Sequence, residues 1–230
     1  MPDLKIGDEI LALSSDGQLV YSEVMLFLDR DPTSQRLFYQ IQTESGSTLL
    51  LTPSHLIFVA NDNKTAFSEE ISQAIYAKNV QIGQFLYTSS ISDNIINENN
   101  VDSNNNHIKK HYIPVLDRVV RVTTKTETGA YAPLTKHGNL IVNNIVASCY
   151  AVINDQTLAH WSFLPVRIYE NLKDSFQYLA YLLHITNQES LKRSSSSTSP
   201  SPSTYPQGVH WYPKLLYSLS KYLLPADKMY

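Results

Sequence analysis

The feature that most restricts the fold is an internal repeat. Leu4-Lys5-Ile6-Gly7-Asp8-Glu9-Ile10-Leu11 resembles Val80-Gln81-Ile82-Gly83-Gln84-Phe85-Leu86-Tyr87. Leu51-Thr52-Pro53-Ser54-His55-Leu56-Ile57-Phe58-Val59 resembles Leu134-Thr135-Lys136-His137-Gly138-Asn139-Leu140-Ile141-Val142. Two copies are too few for a solenoid and suit a pseudo-two-fold domain built by duplication. The second copy has Asn139 about where the first has His55, an asymmetry that points to one active half.

The repeated unit reads as β. Gln18 to Tyr21, Leu37 to Ile41 and Thr48 to Thr52 are short and rich in β-branched and aromatic residues, and turn residues such as Ser14-Ser15-Asp16-Gly17 and Ser45-Gly46-Ser47 bound them. Short strands at this spacing favour a mostly β barrel or sandwich-like fold over α/β. The expectation is a β domain over residues 1–153. After about residue 154 the period changes. Ile168, Leu172, Phe176, Leu179 and Leu183 recur every three or four residues, as do Trp211, Leu215, Leu216, Leu219 and Leu223. Two helices packed on the β domain account for this. A surface for a membrane or an apolar ligand is the alternative, suited by Tyr178, Tyr181, Trp211 and Tyr212. The second region thus spans 154–230. A Ser/Pro linker at 194–206 and an asparagine-rich loop at 93–106 are expected to be disordered, because neither can bury enough apolar surface to offset its ordering entropy.

Composition removes several function classes. The 230 residues carry a formal net charge of -3, far from the basic footprint of a nucleic-acid binder. Apolar runs such as Leu179 to Ile185 are too short to span a membrane. Met1 to Asp8 has no apolar signal region. The single cysteine, Cys149, has no internal disulfide partner. Asn63-Lys64-Thr65 is a glycosylation candidate at Asn63. The histidines show no metal-ligand spacing, so no metal or cofactor is expected.

Three places are candidates for chemistry. Pro53 favours a turn between two strands, on which Thr52 and His55 converge. An imidazole offers one donor and one acceptor; with a threonine hydroxyl beside it, the pair can polarise a peptide bond and protonate its leaving nitrogen. A core histidine capping a turn explains the same pattern. Asp29 ends the apolar run Leu26-Phe27-Leu28, either as a solvated turn residue paired to an arginine or as a general base that activates a hydroxyl. Cys149 lies in a small apolar strand, as inert core or as a thiol lining a site.

Taken together, these segments resemble the autoprocessing domain of hedgehog proteins, of the Hint fold shared with inteins. The carriers are Ile6 to Ala12, Tyr21 to Asp31, Leu51 to Leu56, Gly129 to Thr135, Val146 to Ile153, Leu158 to Trp161, and Gly208 to Tyr212 with Leu215-Leu216-Tyr217. The resemblance implies a pseudo-two-fold Hint fold followed by a helical sterol-recognition region. It also implies a reaction. A cysteine attacks the preceding glycine carbonyl to give a thioester, and cholesterol, as co-substrate, displaces it to release an esterified N-terminal signalling domain. Thr52 and His55 match the pair that activates the peptide. Asp29 matches the carboxylate that activates the sterol hydroxyl, and Cys149 matches a site-lining cysteine that is not the nucleophile. The implied partners are a sterol, the signalling domain in cis and a membrane surface. The implied location is the secretory pathway, with an extracellular or membrane-associated product. Against the family pattern, the first strand and nucleophilic cysteine are expected to be missing here. A non-catalytic sterol- or membrane-binding module remains the alternative. Protein splicing is not expected, because the chain ends Ala226-Asp227-Lys228-Met229-Tyr230 rather than on Asn.

Overall fold

The computed structural model describes residues 1–60, 73–91, 112–151, 156–169, 171–172, 175 and 207–223. Asn63, Tyr178, Tyr181, the segments 93–106 and 194–206, and the expected joint at 153/154 lie outside the described residues.

Ten strands are present among the described residues. They are β1 (Glu9–Leu13), β2 (Leu19–Thr43), β3 (Thr48–Leu51), β4 (His55–Ala60), β5 (Gln73–Tyr76), β6 (Phe85–Ile91), β7 (Tyr112–Thr135), β8 (Asn139–Val142), β9 (Ile145–Ala151) and β10 (Gly208–Val209). All pairs are antiparallel, in the order β1-β2-β7-β6-β4-β9-β8, with β3 and β10 on β2 and β5 on β4. The mostly β expectation holds, but the strands differ from the sequence reading in one respect. Gln18 to Tyr21 and Leu37 to Ile41, expected as separate short strands, contribute to the single 25-residue strand β2. Register shifts at Val24/Leu26, Phe27/Asp29 and Asp31/Gln35 explain how it runs so far. Each bulge lets a strand bend without losing its partner. Pro32 falls inside one of them, where the ladder needs no N–H.

The duplication is visible in the backbone. Gly7 N–H donates to Val24 O at 2.9 Å, and Gly83 N–H donates to Val119 O at the same 2.9 Å. Val24 N–H returns to Asp8 O at 2.9 Å, and Val119 N–H to Gln84 O at 2.8 Å. Asp8 Oδ2 accepts from Lys5 N–H, and Gln84 Oε1 from Gln81 N–H, both at 2.8 Å. The φ angles of Gly7 and Gly83 are 92° and 95°, a region open to glycine and costly to L-residues. The second repeat pair behaves alike. His55 N–H closes a turn onto Thr52 O at 3.0 Å, and Gly138 N–H closes one onto Thr135 O at 3.1 Å. His55 and Gly138 are thus equivalent by turn geometry, while Asn139 opens β8 as His55 opens β4.

Asn139 has a structural task. It is fully buried, its Oδ1 accepts from Leu13 N–H at 2.7 Å, and its Nδ2 donates to Leu13 O at 2.8 Å. A side-chain amide thereby stands in for a strand partner and joins β1 to β8. The core on one side centres on residues such as Ile41, Leu56, Leu134 and Tyr150. A smaller cluster is built on Leu13, Phe58, Tyr87 and Val146.

Helix α1 (Gln156–Ser162) is followed by helical backbone over 164–169, and α2 is Trp211–Leu223. Phe163 is the joint. Its ring stacks on Tyr150 at 5.4 Å and meets Tyr212 edge-on at 5.5 Å. Tyr212 also donates its hydroxyl to Ser162 O at 2.8 Å. At the start of α2, β10 pairs with β2 at Asp29 and Arg30, and His210 N–H donates to Leu28 O at 2.9 Å. The helices do pack on the β domain, but only part of the stripe that the spacing picks out faces it. Ile168, Leu172, Trp211, Leu215 and Leu219 are exposed, and Phe163, Val166, Tyr212 and Leu216 face inward. Among the described residues no helix is long and apolar enough to cross a membrane.

Candidate active site

A cavity of about 460 Å³ lies between the β domain and α2. Its walls come from β2, the β3–β4 turn, β7, β9, α1 and α2. Leu28, Phe38, Ala132, Phe163 and Leu216 make it largely apolar, and Asp29, Arg36, Thr52, Ser54, His55 and Lys214 supply its polar groups. Its size is in the range of small-molecule sites. The structure brings Asp29, Thr52, His55 and Cys149 to this one cavity.

His55 opens β4 directly after the turn at Thr52 to Ser54. Its Nε2 lies 2.8 Å from Ser148 O. A carbonyl only accepts, so Nε2 carries the proton, and in the neutral ring Nδ1 is the acceptor. Burial lowers the His55 pKa, and the Ser148 carbonyl opposes that shift. The ring is therefore neutral at pH 7, with its tautomer set by a backbone carbonyl.

Asp29 does not end a strand. It sits within β2 at the Phe27/Asp29 bulge, which re-aims its side chain. Its Oδ2 accepts from Arg36 Nη1 at 2.7 Å, and Arg36 Nη2 reaches Asp31 Oδ2 at 3.0 Å. Asp31 is fixed in turn, its Oδ1 accepting from Thr33 N–H at 3.1 Å and Ser34 N–H at 3.0 Å. Hydrogen bonds, those of Ser34 foremost, hold its carboxyl far below the usual range. The other oxygen of Asp29, Oδ1, is buried and has no hydrogen-bond partner among the described residues. A carboxyl group with one paired and one idle oxygen is placed to accept a hydroxyl proton or a hydroxyl hydrogen bond.

Cys149 is 1% exposed, and burial pushes its thiol up to about 11. Its Sγ lies 3.6 Å from Thr135 Oγ1. Trp211 is exposed, whereas Tyr212 is half-buried and ties α2 to α1. Sequence reasoning missed Arg36 and Ser148. Ser148 acts through its backbone, which leaves no signature. Arg36 reaches Asp29 across bulges that spacing does not reveal.

The Hint module family model matches residues 1–225, and the chain belongs to that family. Its relatives narrow the class. It is 36% identical over 229 residues to Sonic hedgehog protein of Danio rerio, covering 99% of this chain and 46% of that protein. It is 33% identical over 225 residues to Protein hedgehog of Drosophila melanogaster, covering 98% of this chain and 41% of that protein. The module is therefore of the hedgehog kind, and the chain spans less than half the length of the curated relatives it matches. Among solved structures, the transcription factor IIB Mvu mini-intein matches 61% of this chain and 70% of its own at 19% identity and a TM-score of 0.41. The Ssp DnaB mini-intein variant M86 matches 63% and 77% at 14% identity and a TM-score of 0.43.

Proposed function

We propose that this chain forms the catalytic body of a hedgehog-type autoprocessing protein, in which a peptide bond is exchanged for a thioester and the thioester for a cholesterol ester. In this reading a cysteine thiolate attacks the carbonyl carbon of the preceding glycine. The C–N bond breaks and the amine nitrogen takes a proton. The sterol hydroxyl oxygen then attacks the thioester carbon, its proton passes to Asp29, the C–S bond breaks, and the leaving thiolate takes up that proton to restore the thiol. Neutral His55 takes the proton of the cysteine thiol at Nδ1, leaving the thiolate that attacks, and delivers that proton to the leaving nitrogen, with Thr52 holding the same peptide. Cys149 is not the attacking thiol: at pH 7 its buried, raised sulfhydryl is almost wholly protonated. In this reading the nucleophile, the scissile bond and the signalling domain are supplied in cis, and the reaction takes place in the secretory pathway.

The observation that carries this reading is the idle, buried Oδ1 of Asp29 in an apolar cavity shared with His55. The test uses this chain extended upstream by a Gly–Cys junction and a reporter domain. Dithiothreitol should release the reporter by thiolysis, and cholesterol should release it as the sterol ester. His55→Ala should stop both. Asp29→Ala should spare thiolysis and cut sterol transfer by about 10²-fold or more, in the range of general-base contributions. A parent protein that releases nothing with either nucleophile would sink the proposal. Equal loss of both reactions in Asp29→Ala would remove its assigned role.

A second reading, a sterol-binding module without catalysis, draws on the same apolar cavity. It expects saturable binding of a fluorescent sterol by this chain and no release from the extended protein.

A further inference from the structure

We propose that Arg36 and Asp31 are positioning residues for the transfer step: Asp31 holds Arg36, Arg36 fixes the Asp29 carboxyl with Oδ1 left for the hydroxyl, and Asp31 remains the counter-ion of Arg36 when Asp29 takes up a proton. The role in transfer rests on the reaction proposed above. Asp29 and Asp31 pair with Ala132 and Ala130 of β7, so they share one face of β2. A register shift follows between Asp31 and Gln35, and the chain turns there on the Asp31 side chain. Asp31 Oδ1 accepts from Thr33 N–H at 3.1 Å, from Thr33 Oγ1 at 3.2 Å and from Ser34 N–H at 3.0 Å. An aspartate turn of this kind needs only local sequence. Asp31 Oδ2 accepts from Arg36 Nη2 at 3.0 Å, so both oxygens of Asp31 are committed. A guanidinium is a planar, rigid fork. Its other arm, Arg36 Nη1, donates to Asp29 Oδ2 at 2.7 Å. The turn thus fixes Asp31, Asp31 fixes Arg36, and Arg36 fixes Asp29. The outer torsion of a free aspartate is broad. Tying Oδ2 singles out Oδ1, the buried oxygen with no partner among the described residues.

Charge balance gives Asp31 its second task. Arg36 lines the apolar cavity and its side chain is 34% exposed, against 17% for Asp29. Were Asp29 its one counter-ion, a proton arriving there would strand a guanidinium in the cavity wall, which is costly. With both carboxyls ionised, the trio carries one net negative charge. With a proton on Asp29 it carries none, and Arg36 keeps Asp31 at 3.0 Å. Asp31 suits that task, because its hydrogen bonds, those of Ser34 foremost, favour its ionised form. Asp31 is not among the residues that line the cavity, so its influence on the site passes through Arg36. Arg30, next to Asp29 in sequence, does not substitute: its guanidinium donates to Leu4 O at 3.0 Å and Pro2 O at 2.9 Å.

The experiment measures sterol transfer and thiolysis in the extended protein and reads the ratio of their rates. Thiolysis does not use Asp29, so the ratio isolates the carboxyl. Arg36→Gln should lower the ratio at least about tenfold, toward the ~10²-fold that a misplaced group costs. Asp31→Asn should lower it too. Its amide oxygen can still accept from Thr33 and Ser34, but its NH2 cannot accept from Arg36. Because Asp31 acts through Arg36, the double variant should lose no more than Arg36→Gln alone. Additive losses overturn the proposal, as does an unchanged ratio in either single variant. Should a variant fail to fold and lose thiolysis as well, Arg36→Lys decides. Its ammonium keeps the charge but not the fork, so the ratio should still fall, and a full ratio overturns the proposal. A second measurement needs no cleavage. In this chain, the Nη protons of Arg36, assigned by their absence from Arg36→Lys, should give resolved nuclear magnetic resonance signals that merge in Asp31→Asn. Merged signals in the wild-type chain overturn the proposal. Resolved signals in a protein that releases nothing with either nucleophile leave the fork standing and sink the reaction, and the transfer role with it.

Discussion

At the residue scale, the two halves of the duplication diverge at one turn position. In the first half it is His55, whose ring enters the cavity. In the second it is Gly138, at a φ of 68°, where an added Cβ would lie 2.5 Å from His160 Nδ1 and 3.0 Å from Tyr150 Cε2. No side chain fits there, so only the first half can carry an imidazole. The asymmetry was legible in sequence, although as Asn139 rather than Gly138, because the neighbour that excludes a side chain comes from α1. Cys149 gives a direct residue-scale prediction. With its thiol pushed from 9.0 to about 11, its thiolate fraction at pH 8 is about 100-fold below that of the unfolded chain. Labelling by an aromatic disulfide reagent should be at least about tenfold slower in the folded protein than in denaturant. Equal rates would show that the sulfur is accessible and that the cavity wall there is open.

At the element scale, the repeated turns set the entry of β1 and β6, and their glycines should respond in a graded way. Gly7 and Gly83 share a positive φ, and an added Cβ would meet nothing closer than 3.8 Å. Alanine at either should therefore cost about 1 kcal/mol, from backbone conformation alone. Gly138→Ala adds the clash with His160 and should cost clearly more, with α1 loosened from β9. Urea unfolding of the three variants checks the order; equal losses would contradict the close approach at Gly138. The elements also show where sequence reading stops. Strand character, turns and the duplication were visible because they are local. The bulges that fuse two expected strands into β2 were not, since a bulge is decided by the partner strand. The apolar spacing of α2 was legible, but periodicity gives a face and not its direction: Leu216 of that set turns inward, while Trp211, Leu215 and Leu219 are exposed.

At the scale of the whole molecule, stability should depend on pH with one sign. Burial lowers His55, His137, His160 and His210, with His160 down to about 4 through burial first, then the nearby Arg167 guanidinium and His137. An unfolded chain takes up these protons near 6.5, while the folded one resists. Stability is thus complete above about 6.5 and falls as the pH drops toward about 4. Asp16 and Asp31 have lowered carboxyl pKa values, through their hydrogen bonds to Ser14 and Ser34 first, so the loss continues in the same direction below 3.8. The denaturation midpoint measured across pH 8 to 4 should decline throughout the lower half of that range. A flat or rising profile would mean that the histidines are solvated in the folded state.

The cavity joins Leu28 of β2 to Tyr217 of α2, and neither end of that span can wall it alone. A ribosome adds about 5–20 residues per second, so roughly 10 to 40 seconds separate the synthesis of its first wall from that of its last. During this interval the turn bearing His55 exists, but the chamber that would admit a sterol does not. In the proposed reaction, ester formation therefore waits until both walls have been made, timed by the distance along the chain between them.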